Sequence, residues 1–159
     1  MENIEKKDIH KKIIHIQNEW AKNIINIGKA FINKEDYIGI TNKFLEELYY
    51  FDNGKVLFKP TKASNLQFRK SKNEFISYFI GHNKISEEDK GFALEPWKKI
   101  DFENFDYLLL NTIVISMGNY FFTNYENKIT KVEYTFGYIL NSIGDIKIIF
   151  HHSSIPYKI

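Results

Sequence analysis

Cysteine is missing from this chain, and proline occurs only 3 times and glycine 8 times in 159 residues. Without a thiol there is no disulfide, no thiolate nucleophile and no cysteine-ligated zinc. Charge of one sign is not in surplus either. Lys+Arg total 22 against Asp+Glu 20, a formal net charge of +2, and the lysines are scattered among acids rather than drawn into a stripe. That disfavours nucleic acid as a partner. No stretch approaches the ~18 uncharged apolar residues of a membrane span, and Met1–Asp8 carries acids with no apolar signal-type segment. The expectation is a cytoplasmic protein with no membrane contact. Internal repeats, heptad runs and low-complexity segments are also absent.

What the chain does have is apolar and aromatic mass. Hydrophobic residues make up 43% and aromatics 16%, with 14 Phe and 10 Tyr. This is enough for one domain with a full core and argues against disorder. The predicted organisation is a single domain over 1–159, helical over 1–50, a strand and a short helix over 51–96, and an antiparallel meander over 97–159.

Apolar residues at Ile13/Ile14, Ile16, Trp20/Ala21, Ile24/Ile25, Ile27 and Phe31/Ile32 hold one helical face for about five turns. The Lys6-Lys7 and Lys11-Lys12 pairs read as solvated surface of that helix. After a break at Asn33-Lys34, the series Tyr37, Ile40, Thr41, Phe44, Leu45, Leu48 predicts a second helix. Asp52-Asn53-Gly54 is a turn signal, and Lys55–Pro60 reads as a short strand ended by its proline. Ser71-Lys72-Asn73-Glu74 fits a capping box and predicts a short helix with Phe75, Tyr78, Phe79 and His82 on one face. Beyond Pro96 the texture turns to strands, with turns expected at Asn104-Phe105-Asp106, Asn124–Asn127 and Asn141–Asp145. Helices first and a meander last predict an α+β fold in which a curved antiparallel sheet wraps the helices as a cone with a pocket at its mouth.

The last strand carries the clearest functional signal. Alternation in Ile146-Lys147-Ile148-Ile149-Phe150-His151-His152-Ser153-Ser154 puts Ile146, Ile148, Phe150, His152 and Ser154 on one face, which begins as pure core. An imidazole and a hydroxyl carried inward must find hydrogen-bond partners or line a wet pocket. Adjacent His151 and His152 face opposite ways and cannot both ligate one ion, which disfavours a metal site. His82 is a further candidate to reach the pocket, four residues on from Tyr78.

The block Val132-Glu133-Tyr134-Thr135-Phe136-Gly137-Tyr138 followed by His151-His152-Ser153-Ser154-Ile155-Pro156 resembles the ending of the iota-class carbonic anhydrases. These are relatives of the calcium/calmodulin-dependent kinase association domain with the nuclear-transport-factor-2-like fold, and bacterial members often carry the label phosphoribosyl-AMP cyclohydrolase. Matching segments are Leu57–Ser64, Ser77-Tyr78-Phe79, Lys90–Leu94 with Pro96-Trp97, and Met117–Phe122, so the resemblance covers about Asp52 to Tyr157. Many relatives have three histidines where this chain has Phe150-His151-His152. The resemblance implies reversible CO2 hydration without a metal or other cofactor. It also implies a pocket of Thr61, Tyr78, His152 and Ser154, and a homodimer. Thr61 rests on the resemblance alone; Tyr78, His152 and Ser154 are reached by periodicity as well. The aromatics Tyr120, Phe121, Phe122, Tyr134, Phe136 and Tyr138 read as core and cavity wall. The competing class is a non-catalytic oligomerisation or ligand-binding module. A lyase or isomerase of the ketosteroid-isomerase kind would need a pocket carboxylate, and none is placed by the sequence. The cyclohydrolase label fits poorly, because that chemistry resembles a zinc–cysteine site.

Overall fold

The buried stripe of the first helix sets the architecture. In this computed structural model, which describes residues 2–159 and side chains from residue 7 onward, α1 spans Glu2–Ile32. Ile9, Ile13, Ile16, Trp20, Ile24, Ile27 and Ala30 are buried at three- and four-residue spacing, whereas Ile14, Phe31 and Ile32 are exposed. The buried face is therefore narrower than the apolar pattern. Lys7 and Lys11 are solvated as expected, Lys12 is half-buried beside Asp8 (3.1 Å) and the Gly144 carbonyl, and the Lys6 side chain lies outside the described residues.

Helix α2, Tyr37–Leu48, starts where the Asp36 carboxylate accepts the Gly39 N–H at 2.9 Å. After β1 (Leu57–Lys59), helix α3 (Lys72–Ile80) opens with the expected capping box: Ser71 accepts from the Glu74 N–H and Glu74 reaches back to the Ser71 N–H. Gly81 in the left-handed region ends α3, so His82 falls beyond the helix and is exposed, not aimed at a pocket.

Strands β2 (Trp97–Leu110), β3 (Ile113–Asn124), β4 (Ile129–Leu140) and β5 (Ile146–Ser154) form the meander. The sheet order is β1-β5-β4-β3-β2, antiparallel throughout except that β1 runs parallel to β5. Helix α1 contacts both β2 and β5. Those strands would stand about 14 Å apart in a flat sheet, while a helix is about 10 Å wide, so the sheet curls around α1. The buried apolar residues form one cluster running from Ile9 to Ile148.

Two β-bulges correct the sequence reading. Asn104-Phe105-Asp106 is not a turn: β2 continues through it with Phe105 as an extra residue, and the real turn is at Asn111-Thr112. A Cβ on Gly118, opposite this bulge, would meet the Glu103 carbonyl at 2.2 Å, so only glycine fits there. The second bulge lies in β5. Gly137 pairs with Phe150 but Tyr138 pairs with Ile148, which leaves Ile149 as the extra residue. One inserted residue reverses the parity of every side chain beyond it. Ile148 points inward, and after the bulge His151 and Ser153 point inward in place of His152 and Ser154.

Candidate active site

His151 and Ser153 are 1% and 2% exposed at the inner end of β5. With Trp20 of α1, Phe58 of β1, Thr61 of the turn that follows, Tyr78 and Phe79 of α3, Phe92 of the short helical turn before β2, and Tyr120 of β3, they line a cavity of about 10 Å³. That is room for roughly one water-sized molecule. The imidazole is held between aromatic rings, 4.1 Å from the Phe136 centroid and 4.7 Å from that of Phe58. Its Nε2 lies 3.0 Å from Ser153 Oγ and 3.2 Å from the Tyr120 hydroxyl, and Ser153 and Tyr120 hydrogen-bond to each other. Its Nδ1 lies 3.0 Å from the Tyr49 hydroxyl, which accepts the Trp20 indole N–H at 2.9 Å. Thr61 lines the same cavity beside Tyr78 and Tyr120, and the Tyr78 hydroxyl accepts the Lys62 N–H at 3.3 Å.

Of the residues expected from the sequence, Thr61 and Tyr78 meet in this cavity. His152 and Ser154 do not. They lie on the outer face of the sheet in an open depression with Glu133, Thr135, Met117 and Phe105, where Ser154 donates to Glu133 at 3.3 Å. The inward imidazole and hydroxyl expected two residues apart are present, one position earlier in the chain. Strand parity through Ile148-Ile149, where consecutive apolar residues fit either face, could not have shown this. The signal was Gly137, since a glycine inside a strand often marks a bulge in or opposite it. Trp20, Tyr49 and Tyr120 read as core, and nothing in local sequence separates them from their aromatic neighbours.

Burial shapes the electrostatics. Loss of solvent pushes the phenols of Tyr78, Tyr120 and Tyr49 well above their usual range, so all three stay protonated and can donate. Burial, followed by the nearby His152 charge, holds His151 well below the usual 6.5, so its imidazole is neutral near neutral pH. Below 6.5 the unfolded chain protonates this histidine while the folded one does not, so stability is full above that pH and falls as the pH drops. Urea melts between pH 7 and pH 5 should show up to about 1.4 kcal/mol lost per pH unit from this group. That increment should be absent in His151→Gln; equal slopes in both proteins would show that His151 protonates freely in the folded state.

A second polar cluster holds the wall that carries Tyr78. Arg69, fully buried, donates to both carboxylate oxygens of Asp89 at 2.6 and 2.8 Å, and Ser77 donates to the same carboxylate at 2.5 Å. The guanidinium carbon lies 5.4 Å from the Tyr78 ring centroid. Glu88 accepts the N–H groups of Ser64 (2.9 Å), Asn65 (3.0 Å) and Leu66 (2.9 Å), which hold its carboxyl down to about 2. Thus the segments on either side of α3 are fastened together around Tyr78. Among the described residues no group of three or more His, Cys, Asp or Glu side chains could hold a metal ion. A larger depression, about 510 Å³ between α1, the end of α2 and the β4–β5 turn, has an ionic rim of Lys11, Lys12, Glu47 and Lys147 but no converging buried polar groups. Convergence, not volume, singles out the small cavity.

The curved sheet closed over α1 with a polar cluster between them is the nuclear-transport-factor-2-like fold. A Salmonella enterica protein of that superfamily aligns at TM-score 0.58 and 10% identity over 96% of this chain and 94% of its own, a likeness of fold alone. Residues 11–155 match the family described as metal-independent carbonic anhydrase, and the chain belongs to that family. A curated metal-independent carbonic anhydrase from Nostoc sp. (strain PCC 7120 / SAG 25.82 / UTEX 2576) is 32% identical over 150 residues, 92% of this chain and 73% of that protein. The crystal structure of a cyanobacterial iota-carbonic anhydrase complexed with bicarbonate superposes at TM-score 0.88 with 31% identity, covering 94% of this chain and 93% of the other. A Xanthomonas campestris protein described as a calcium/calmodulin-dependent protein kinase II association domain gives TM-score 0.62 at 22% identity over 92% and 87% of the two chains, again the fold alone.

Proposed function

We propose that this chain is a metal-independent carbonic anhydrase that hydrates CO2 reversibly where the cavity between Thr61, Tyr78, Tyr120, His151 and Ser153 adjoins the larger depression beside Tyr78 and Phe92. The observation that carries the proposal is the convergence of four hydroxyls and one neutral imidazole on a single water-sized space in a member of this family. Phe58, Phe79 and Phe92 give apolar CO2 a dry wall, and the hydroxyls supply donors where charge develops. Water oxygen bonds to the CO2 carbon, one C=O π pair moves onto oxygen, and the water proton leaves, so that bicarbonate and one proton result. The buried phenols stay protonated through the cycle and serve as donors, not bases. Each well-placed donor of this kind is worth about 10²–10³ in rate.

Access is supported by a depression of about 240 Å³ outside the cavity, lined by Lys62, Gly91, Leu94 and Glu95, that shares Tyr78 and Phe92 with it. Stopped-flow CO2 hydration is the direct test, run before and after chelator treatment with elemental analysis of the same samples. Rates above buffer that survive chelation are expected. Rates equal to buffer would end the proposal, and activity restored by one ion would end its metal-independent part.

The proposal includes a cytoplasmic homodimer formed through the outer face of the sheet. Phe105 is 82% exposed and Met117 48%, with exposed Leu108 and Leu110 further along β2, an apolar area of the kind that a partner covers. Light scattering at micromolar concentration should give twice 18.9 kDa, and Phe105→Lys should return the value to one. A monomer at all concentrations would count against it.

A further inference from the structure

We propose that Trp20 and Tyr49 are positioning residues that lock the His151 imidazole with its proton on Nε2, so that the chain of groups behind the cavity donates toward the substrate and carries no proton away. The catalytic part of this rests on the hydratase reading above; the tautomer itself does not.

An indole N–H can only donate, so the 2.9 Å contact from Trp20 Nε1 makes the Tyr49 oxygen an acceptor. Tyr49 is fully buried, and among the described residues its one remaining contact within hydrogen-bond reach is His151 Nδ1 at 3.0 Å. If Nδ1 carried the proton, the Tyr49 oxygen would accept twice and its own hydrogen would have no acceptor. If Nδ1 is bare, the Tyr49 O–H donates to it and every group is satisfied, as buried polar groups normally are. The imidazole proton then sits on Nε2, facing Ser153 Oγ at 3.0 Å and Tyr120 Oη at 3.2 Å. Those two hydroxyls share one further hydrogen bond, so one proton is left over at the end of the series, where both hydroxyls line the cavity.

The series Trp20, Tyr49, His151, Ser153/Tyr120 therefore has a direction. Running it backwards to export the proton of the attacking water would require each hydrogen to shift toward Trp20. The indole nitrogen has no lone pair with which to receive one. His151 is then an oriented donor and not the general base, and the proton leaves on the opposite side of the cavity, past Tyr78 toward the mouth where Lys62 faces Glu95 at 4.0 Å.

Nitrogen-15 NMR of histidine-labelled protein tests this without reference to activity. His10, His15, His82 and His152 are exposed, and the signals of the one buried ring are assigned as those lost in His151→Gln. It should show a protonated Nε2 and a bare Nδ1 displaced by an accepted hydrogen bond. Tyr49→Phe should move the Nδ1 signal toward that of a nitrogen with no donor and admit the Nδ1–H form. Its kcat for hydration should fall roughly tenfold, what one neutral hydrogen bond is worth at the upper end of its range, with KM little changed. Trp20→Phe, which frees the Tyr49 oxygen, should shift the same signal in the same direction. An Nδ1–H tautomer in the wild-type protein would overturn the proposal, and so would a Tyr49→Phe spectrum and kcat equal to wild type. Should Tyr49→Phe fail to fold, the wild-type spectrum still decides. A protein with the Nε2–H ring but no hydratase activity would sink the function above and leave the tautomer standing.

Discussion

Ser153→Ala should lower CO2 hydration by about 10²–10³-fold, the usual cost of one transition-state donor, while Ser154→Ala stays close to wild type. The two serines are neighbours, and the contrast between them tests which face of β5 does the chemistry. Ser153 is buried with its hydroxyl on Tyr120 and His151, whereas Ser154 meets only Glu133 on the outer face. Tyr78→Phe and Thr61→Val should behave like Ser153→Ala, and His152→Ala like Ser154→Ala. Each inner variant also loses about 0.5–1.5 kcal/mol of hydrogen bonding, so rates must be compared well below the melting temperature. A collapse in Ser154→Ala with Ser153→Ala active would move the site to the outside of the sheet and refute the assignment.

The second large effect is on stability. Asp89→Asn should destabilise the protein by about 3–5 kcal/mol, because it leaves the Arg69 guanidinium buried with its bidentate partner gone. For a chain of this length that is a fall in Tm on the order of 10 °C. Glu88, 3.7 Å from Arg69, is already committed to three backbone N–H groups and offers little replacement. Replacing both partners, Arg69→Met with Asp89→Leu, should recover part of the loss, since no uncompensated charge then remains buried. A thermal melt of Asp89→Asn within 2 °C of wild type would show that the pair does not hold the wall of α3. Activity should fall in parallel when Tyr78 is no longer held against the Lys62 N–H, and more steeply with temperature than in wild type.

Much of the architecture was legible because it follows from local periodicity. Three- and four-residue spacing marked α1 and α2, Ser71 and Glu74 marked the start of α3, and the change of texture after Pro96 marked the meander. Thr61 and Tyr78 were also in reach, the first through family resemblance and the second through its place on the buried side of a short helix. What could not be read was any feature made by two strands together. Bulge positions depend on where the partner strand places its glycine. Gly118 and Gly137 look like ordinary strand residues until Phe105 and Ile149 are seen to bulge opposite them.

By itself, then, the sequence determined the fold class, the helices and the presence of an imidazole and a hydroxyl two residues apart at the end of the last strand. Only the tertiary structure decided which imidazole and which hydroxyl. Side-chain direction in a strand has a period of two, so one extra residue at Ile149 turns His152 and Ser154 out and brings His151 and Ser153 in. The same holds for the groups behind the ring. Trp20 of α1, the extended residue Tyr49 that follows α2, and Tyr120 of β3 lie far apart in the chain, and their hydrogen-bond roles exist only once the closed sheet has brought them to one imidazole.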